Sequence, residues 1–193
     1  METKSNASKD FIIPVLVLVA ICFATTFLLA FTYGVTSPII AANTEAAASE
    51  ARSALLEEAK GEFEESSADC IAYEEGKVYV ENVFNAKNGS GMVVTVKSNS
   101  YGGLLTAMVG INKDGEITGV QITEHADTPG VGTKAHVAEH LAQYIDKSEL
   151  GSDNIKAHAD DVMEVTGASV SSGAVHKAVY CALEQFKEMG GVK

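Results

Sequence analysis

The sequence predicts an α+β protein: one N-terminal transmembrane helix, then a single external domain in which an antiparallel sheet is packed by helices. Three observations predict it. Phe11 to Tyr33 is a run of 23 residues without a charge. Between Lys77 and Thr123, four short stretches rich in Val, Ile and Thr follow one another, with Asn112-Lys113-Asp114-Gly115 between the last two. From about Ser172, apolar residues recur at helical spacing up to a Gly190-Gly191 stop. At 193 residues there is room for one ordinary domain and an appendage.

The apolar run comes first. At about 1.5 Å of rise per residue it spans a hydrocarbon core of about 30 Å. A cleaved signal peptide fits less well, because its apolar stretch is about 7–15 residues and a small-residue cleavage site should follow. Cys22 does not mark a lipid anchor, since bulky Ile21 precedes it and apolar sequence continues beyond. Pro14 is expected in the first turn, where its missing N–H costs little. Lys4 and Lys9 on the short N-terminal side, with no further basic residue until Arg52, put residues 1–10 in the cytoplasm and the remainder outside. The expected order is cytoplasmic tail 1–10, membrane helix 11–33, helical stalk 34–65 and external domain 66–193.

Charge narrows the partners. Lys and Arg number 14 against 26 Asp and Glu, a balance of −12. Residues 1–44 carry Glu2 and Asp10 against Lys4 and Lys9, so the whole excess falls on the external domain. Such a domain repels phosphates, which excludes nucleic acid as a partner. With three Cys it is no disulfide-stapled miniprotein. Cys70 falls in a loop and Cys181 near an apolar helix face. A disulfide between them stays open, but a packed thiol is the simpler expectation for Cys181.

Within the external domain, the Ala- and Glu-rich stretch from Ala42 is expected to be helical and to end near Gly61. Its acidic run, Glu57, Glu58, Glu62, Glu64 and Glu65, reads as a solvated face. Lys77–Val83, Met92–Ser98, Leu104–Ile111 and Glu116–Thr123 read as strands, the last two as a hairpin turning where Gly115 supplies a positive φ. Lys134–Asp146 is expected to be helical with Val137, Leu141, Tyr144 and Ile145 on one face. The last helix, Ser172 to Met189, places Val175, Val179, Ala182, Leu183 and Phe186 together.

Three constellations compete for the chemistry. In Thr166-Gly167-Ala168-Ser169-Val170-Ser171-Ser172, four hydroxyls crowd the start of the last helix, where backbone N–H groups and the positive dipole end suit a phosphate. Helix capping by Ser171 or Ser172 is the plainer explanation, but one serine would satisfy it. His136-Val137-Ala138-Glu139-His140 fits H-x-x-E-H, in which two imidazoles one turn apart hold zinc beside a glutamate base, as in a membrane-tethered zinc peptidase. A polar flank beside an apolar face accounts for it equally well. Gly167-Ala168-Ser169-Val170-Ser171 nearly matches the serine-hydrolase elbow, but Ser171 replaces the second glycine and no good strand precedes it.

Further motifs fall in a fixed order: Tyr101-Gly102-Gly103, Val109-Gly110-Ile111, Gly119-Val120-Gln121-Ile122, His125-Ala126-Asp127-Thr128-Pro129-Gly130-Val131-Gly132, and Thr166-Gly167-Ala168-Ser169. In this order the chain resembles FMN-binding domains, in particular the flavin-bearing subunits of Rnf-type ion-translocating electron-transport complexes, over roughly residues 10 to 190. The resemblance implies FMN joined through its phosphate to Ser169, with Thr166, Gly167 and Ala168 as the recognition motif of a separate flavin transferase. Ser169 stands where threonine is usual, and Asp127 where glutamate is. Ser171, Ser172, Tyr101, Gly102, Gly103, His125, Asp127, Thr128, Pro129 and Gly130 would complete the cofactor site, with no metal. What is implied is an electron relay, working beside other membrane subunits of the complex rather than as an enzyme alone. A stand-alone anchored FMN domain is the variant of this expectation, and zinc at His136, Glu139 and His140 is the alternative of another class.

Overall fold

The computed structural model describes residues 7–158 and 162–191; Glu2, Lys4 and Asp161 lie outside them. The protein divides into two compact units, residues 1–46 and 47–193.

The first unit is helical. Helix α1, Ala7–Leu55, contains both Pro14 and Pro38, so Pro14 sits in the helix interior and not in its first turn. The helix begins before the apolar run, which accounts for the difference. It is long and apolar enough to cross a membrane, with a mean hydropathy of 2.8 in its most apolar stretch. Three of its threonines are satisfied locally. Thr25, Thr32 and Thr36 donate to the carbonyls of Ile21, Leu28 and Thr32, which pairs these hydroxyls on an otherwise apolar surface.

The second unit is built on a six-stranded antiparallel sheet: β1 (Phe63–Glu65), β2 (Ala72–Glu74), β3 (Val78–Ala86), β4 (Gly91–Asn99), β5 (Leu104–Asn112) and β6 (Ile117–Glu124). The order is β1-β3-β4-β5-β6, and β2 also pairs with β3. Side chains alternate across the two faces. Met92, Val94 and Val96 of β4 and Leu105, Ala107, Val109 and Ile111 of β5 form one core with Val175, Val179 and Leu183 of the final helix α3, Ser169–Met189. On the opposite face Val93 and Met108 pack against Ala51, Leu55 and Leu56. The sheet is thus covered by a helix on each face, the α+β arrangement expected. Its β5–β6 hairpin turns at Gly115, with φ of 87°.

The helix leading into this domain ends at Leu55, short of the expected Gly61. Tertiary contact ends it: the Leu55 carbonyl accepts Thr118 Oγ1 at 2.5 Å. A Cβ on Gly110 would come within 2.7 Å of that same carbonyl, so the bare backbone of β5 is what lets the helix end lie on the sheet. The chain then turns at Lys60, a left-handed residue, and Phe63–Glu65 pairs with Phe84–Ala86 as a strand the pattern did not reveal. All five glutamates of the acidic run are exposed. The expected helix over 134–146 is broken into a 3-10 turn at Gly132–His136, a short α2 at Ala138–Leu141 and a second 3-10 turn at Ala142–Tyr144. Val137 is extended, and it and Ile145 are exposed while Leu141 and Tyr144 are buried. The segment follows the sheet edge instead of presenting one face: Ile117 N–H donates to the Lys147 carbonyl and Asp146 N–H to that of Ile117. Cys70 and Cys181 are free thiols, the first exposed and the second buried.

Candidate functional site

Helix α3 starts at Ser169, three residues earlier than the apolar pattern indicates, which makes Ser169 the first residue of the helix. Ala168 occupies the N-cap position and no side chain caps the helix. The turn before it is set by Gly167, at φ of 82°, in the region that glycine tolerates. Ser171 and Ser172 are inside the first turn and buried. Ser172 Oγ accepts the Val165 N–H at 3.1 Å and donates to the Ala168 carbonyl at 3.0 Å, so it ties down the approach to the helix and is not a cap. Ser169 itself is exposed, and residues 162–168 before it form no strand, so the described residues show no hydrolase elbow.

Over this helix start lies an open cavity of about 440 Å³ lined by Gly167, Ala168, Ser169, Val170, Ser171, Tyr101, Thr128, Val131 and Gly132. The cavity therefore joins three separate stretches: the turn after β4, the loop after β6, and the start of α3. Of the residues singled out from sequence, Tyr101, Thr128, Gly132, Gly167, Ala168, Ser169 and Ser171 line it. Gly102, Gly103, His125, Pro129, Gly130, Thr166 and Ser172 belong to the same stretches without lining it. Tyr101, at 77 % exposure, and Val131 and Val170, both about half exposed, set large apolar side chains around the opening.

Asp127 is what joins the three stretches. Its side chain is fully buried and lies behind the cavity wall. Oδ2 accepts Ser100 Oγ at 2.5 Å, Oδ1 accepts the Gly102 N–H at 2.8 Å, and Ser171 also hydrogen-bonds to the carboxylate. Gly132 makes the enclosure possible: a Cβ there would lie 2.8 Å from the Asp127 Cβ and 2.9 Å from Ser171 Oγ. Burial pushes the Asp127 carboxyl up, but the hydrogen bonds from Ser100, Gly102 and Ser171 and the neighbouring His136 outweigh it. The net result is a carboxylate held below its usual range.

Behind Asp127 stands His136, Nε2 to Oδ2 at 3.1 Å, with its side chain only 7 % exposed. Neither ring nitrogen has an aligned hydrogen-bond partner despite that proximity. The His136 and His125 rings are 4.6 Å apart between centroids. Burial first, and then His125, push the His136 imidazole below its ordinary value against the opposing pull of Asp127. His140 is also pushed down, by burial and then by His136 and His176.

These positions remove the zinc alternative. His136 ends one turn, Val137 is extended and His140 lies in the next helix, so the H-x-x-E-H residues do not share a helical face. His136 meets Asp127, whereas His140 Nδ1 lies 3.0 Å from Gln143 Nε2. Among the described residues no group of three His, Cys, Asp or Glu could hold a metal. What sequence reasoning missed is Ser100 and the contact of His136 with Asp127. Gly132 was visible as the second glycine of Gly130-x-Gly132, but the serine gave no signal.

Residues 100–184 match the FMN-binding domain, and that match contains every residue lining the cavity. The chain is also similar to three relatives over nearly its whole length, each the G-type member of a multi-subunit complex. It is 27% identical over 175 residues to that of the proton-translocating ferredoxin:NAD(+) oxidoreductase complex of Clostridium ljungdahlii, covering 89% of each chain. It is 26% identical over 187 residues to that of the ion-translocating oxidoreductase complex of Methanosarcina acetivorans, covering 95% of this chain and 98% of that one. To that of the Na(+)-translocating ferredoxin:NAD(+) oxidoreductase complex of Acetobacterium woodii it is 27% identical over 206 residues, with 98% and 99% covered.

Proposed function

We propose that this protein is the FMN-bearing subunit of an ion-translocating ferredoxin:NAD oxidoreductase complex, anchored in the membrane by α1 and carrying its flavin covalently on Ser169. The observation that carries the proposal is an exposed hydroxyl at the rim of a cavity within the FMN-binding match, on the first residue of a helix that no side chain caps. Full-length similarity to three proteins of such complexes supports the place in a complex.

The residues present fit the group. A cavity of about 440 Å³ is in the range of sites for compact ligands. Uncapped N–H groups at the start of α3 favour a phosphoryl group beside Ser169. Tyr101, Val131 and Val170 offer exposed apolar surface for a flat ring system. FMN, when bound, supplies the one- and two-electron redox chemistry. The chain's own residues place and retain it.

In the attachment step Ser169 Oγ forms a bond to the FMN phosphorus, the phosphoanhydride of FAD breaks, AMP leaves and the hydroxyl proton is released. A flavin transferase catalyses this exchange, with Thr166, Gly167 and Ala168 as its recognition motif. Gly167 and Ala168 put no bulk in its path, and Thr166, Gly167 and Ser169 are all exposed. A covalent link keeps the cofactor through an effective concentration instead of an affinity, which matters for a domain outside the cytoplasm. Lys4 and Lys9 support that orientation, with the N-terminus inside.

The test is fluorescence of the denatured chain after co-expression with a flavin transferase, beside Ser169→Ala. Flavin that survives denaturation and vanishes in the variant is the expected result. Absence from both would overturn covalent attachment. Recovery of the chain without other membrane subunits after mild solubilisation from its own host would overturn the complex.

A further inference from the structure

His136 is the unfinished part of the site. A buried imidazole with neither nitrogen in an aligned hydrogen bond is uncommon, because an unmade bond in the interior costs free energy. Yet a carboxylate oxygen lies 3.1 Å away. In its neutral form the ring sits one proton short of an ion pair with Asp127.

The surroundings show what would supply that proton. Asp127 stands between His136 and the cavity, since the Asp127 side chain backs onto Gly132 and Ser171, both of which line the cavity wall. On its other side His136 touches His125, which is exposed to solvent. The titratable groups facing His136 are Asp127 and His125 from the loop after β6 and His140 from α2. The groove on the far side of the ring is walled by Leu55, Gly119, Ile122, Ala138 and Leu141, none of them charged. Negative charge placed in the cavity therefore acts on two groups in series, Asp127 and then His136. Asp127 already accepts three hydrogen bonds as a carboxylate, which makes protonating it unfavourable. For His136 only Asp127 favours the charged form, while burial first and then His125 hold the imidazole below its ordinary value.

We propose that His136 is the charge-compensating proton site of the cavity: when an anionic phosphoryl group is set beside Ser169, His136 takes up one proton from solvent and closes an ion pair with Asp127. The inference rests on the proposed phosphate link for its natural occupant, but any phosphate at the helix start exerts the same field. His136 is a positioning residue here, keeping Asp127, and through it the Ser100, Gly102 and Ser171 contacts, in place once the cavity is charged.

The experiment uses the full chain in detergent with ring-labelled histidine, following imidazole resonances against pH. His136→Gln identifies the His136 signal by its disappearance. In the flavin-free Ser169→Ala chain, His136 should titrate below the ordinary histidine value. In the flavinylated chain its midpoint should rise by about one pH unit, a tenfold gain in proton affinity. Equal midpoints in the two chains would overturn the proposal while leaving covalent flavin intact. Should no flavin attach to Ser169, the functional proposal fails on that count alone, and saturating inorganic phosphate on the flavin-free chain takes its place. An upward shift then supports the role of His136, and an unmoved midpoint overturns it.

Discussion

The two ends of α3 are built to opposite rules. At its C-terminal half every buried polar group is answered. Gln185, 1 % exposed, accepts the Ile71 N–H at 2.8 Å and donates to the Asp69 carbonyl at 3.1 Å, fixing the chain that leads into β2. Gly190 closes the helix in a left-handed conformation, with backbone bonds to the Phe186 and Lys187 carbonyls. At the N-terminal end there is no side-chain cap, Ser169 is exposed, a cavity takes the place of packing, and a buried histidine without an aligned hydrogen bond stands behind it. One helix thus anchors the core with one end and borders an open cavity with the other. Along this helix, polar groups are paired at the packed end and left open at the cavity, where the proposed ligand would complete them.

Ser169→Ala breaks the comparison most sharply. Covalent flavin should fall to none, while stability to urea should change by less than about 0.5 kcal/mol, as for an exposed side chain with no structural partner. A large loss of stability would show that Ser169 belongs to the structural half after all.

Gln185→Ala probes the other end and should reverse the pattern. It removes the side-chain partner of the half-buried Ile71 N–H and of the Asp69 carbonyl, so about 1 kcal/mol of stability should be lost in chemical unfolding. Flavinylation of the folded fraction should persist. Loss of flavin from that fraction would mean that the two ends are not separable.

Asp127→Asn lies between the two cases. An amide keeps the shape but turns one acceptor oxygen into a donor facing Ser100, Gly102 or His136, at a cost of about 1–3 kcal/mol. The pH dependence has a definite sign. Asp127 is depressed in the folded protein, so its contribution is fully present above the unfolded value of about 3.9 and is lost as pH falls through the lower folded value. Acid unfolding of the variant should lack that component. Equal acid sensitivity in both proteins would remove Asp127 from its central position.

The structural half was the more legible in the sequence, for a physical reason. Strands β3 to β6 and the apolar face of α3 announce themselves through repeated burial, because each turn or pleat repeats the same demand. Failures came where tertiary contact overrode a local pattern: α1 stops at Leu55 because its carbonyl meets Thr118, and residues 134–146 break because they follow a sheet edge. The site was legible only in pieces. Tyr101, Thr128 and Ser169 stood out as motifs, yet no periodicity relates three loops that meet only in the fold. Asp127 could be named from its motif, but its partners Ser100 and His136 could not. The pairing of His136 with His140 suggested by H-x-x-E-H dissolved once Val137 proved extended.

The smallest effect belongs to the middle of α3, where the two regimes meet. Lys177 pairs with Glu74 of β2 and lies 3.8 Å from Asp153. All three side chains are about a third exposed, so solvent screens the attraction. Lys177→Met should cost about 0.5 kcal/mol at low salt, and the cost should fade near 1 M salt, where the screening length is about 3 Å. The hydrogen bond from Lys177 holds the Glu74 carboxyl below its ordinary value. This small gain is therefore present above an unfolded pKa of about 4.3 and lost as pH falls through the folded one. Because Lys177 touches neither the cavity nor Gln185, flavinylation should be unchanged in the variant. A cost well above 1 kcal/mol that survives high salt would make the middle of the helix part of the structural half, and would move the boundary between the two regimes toward Ser171.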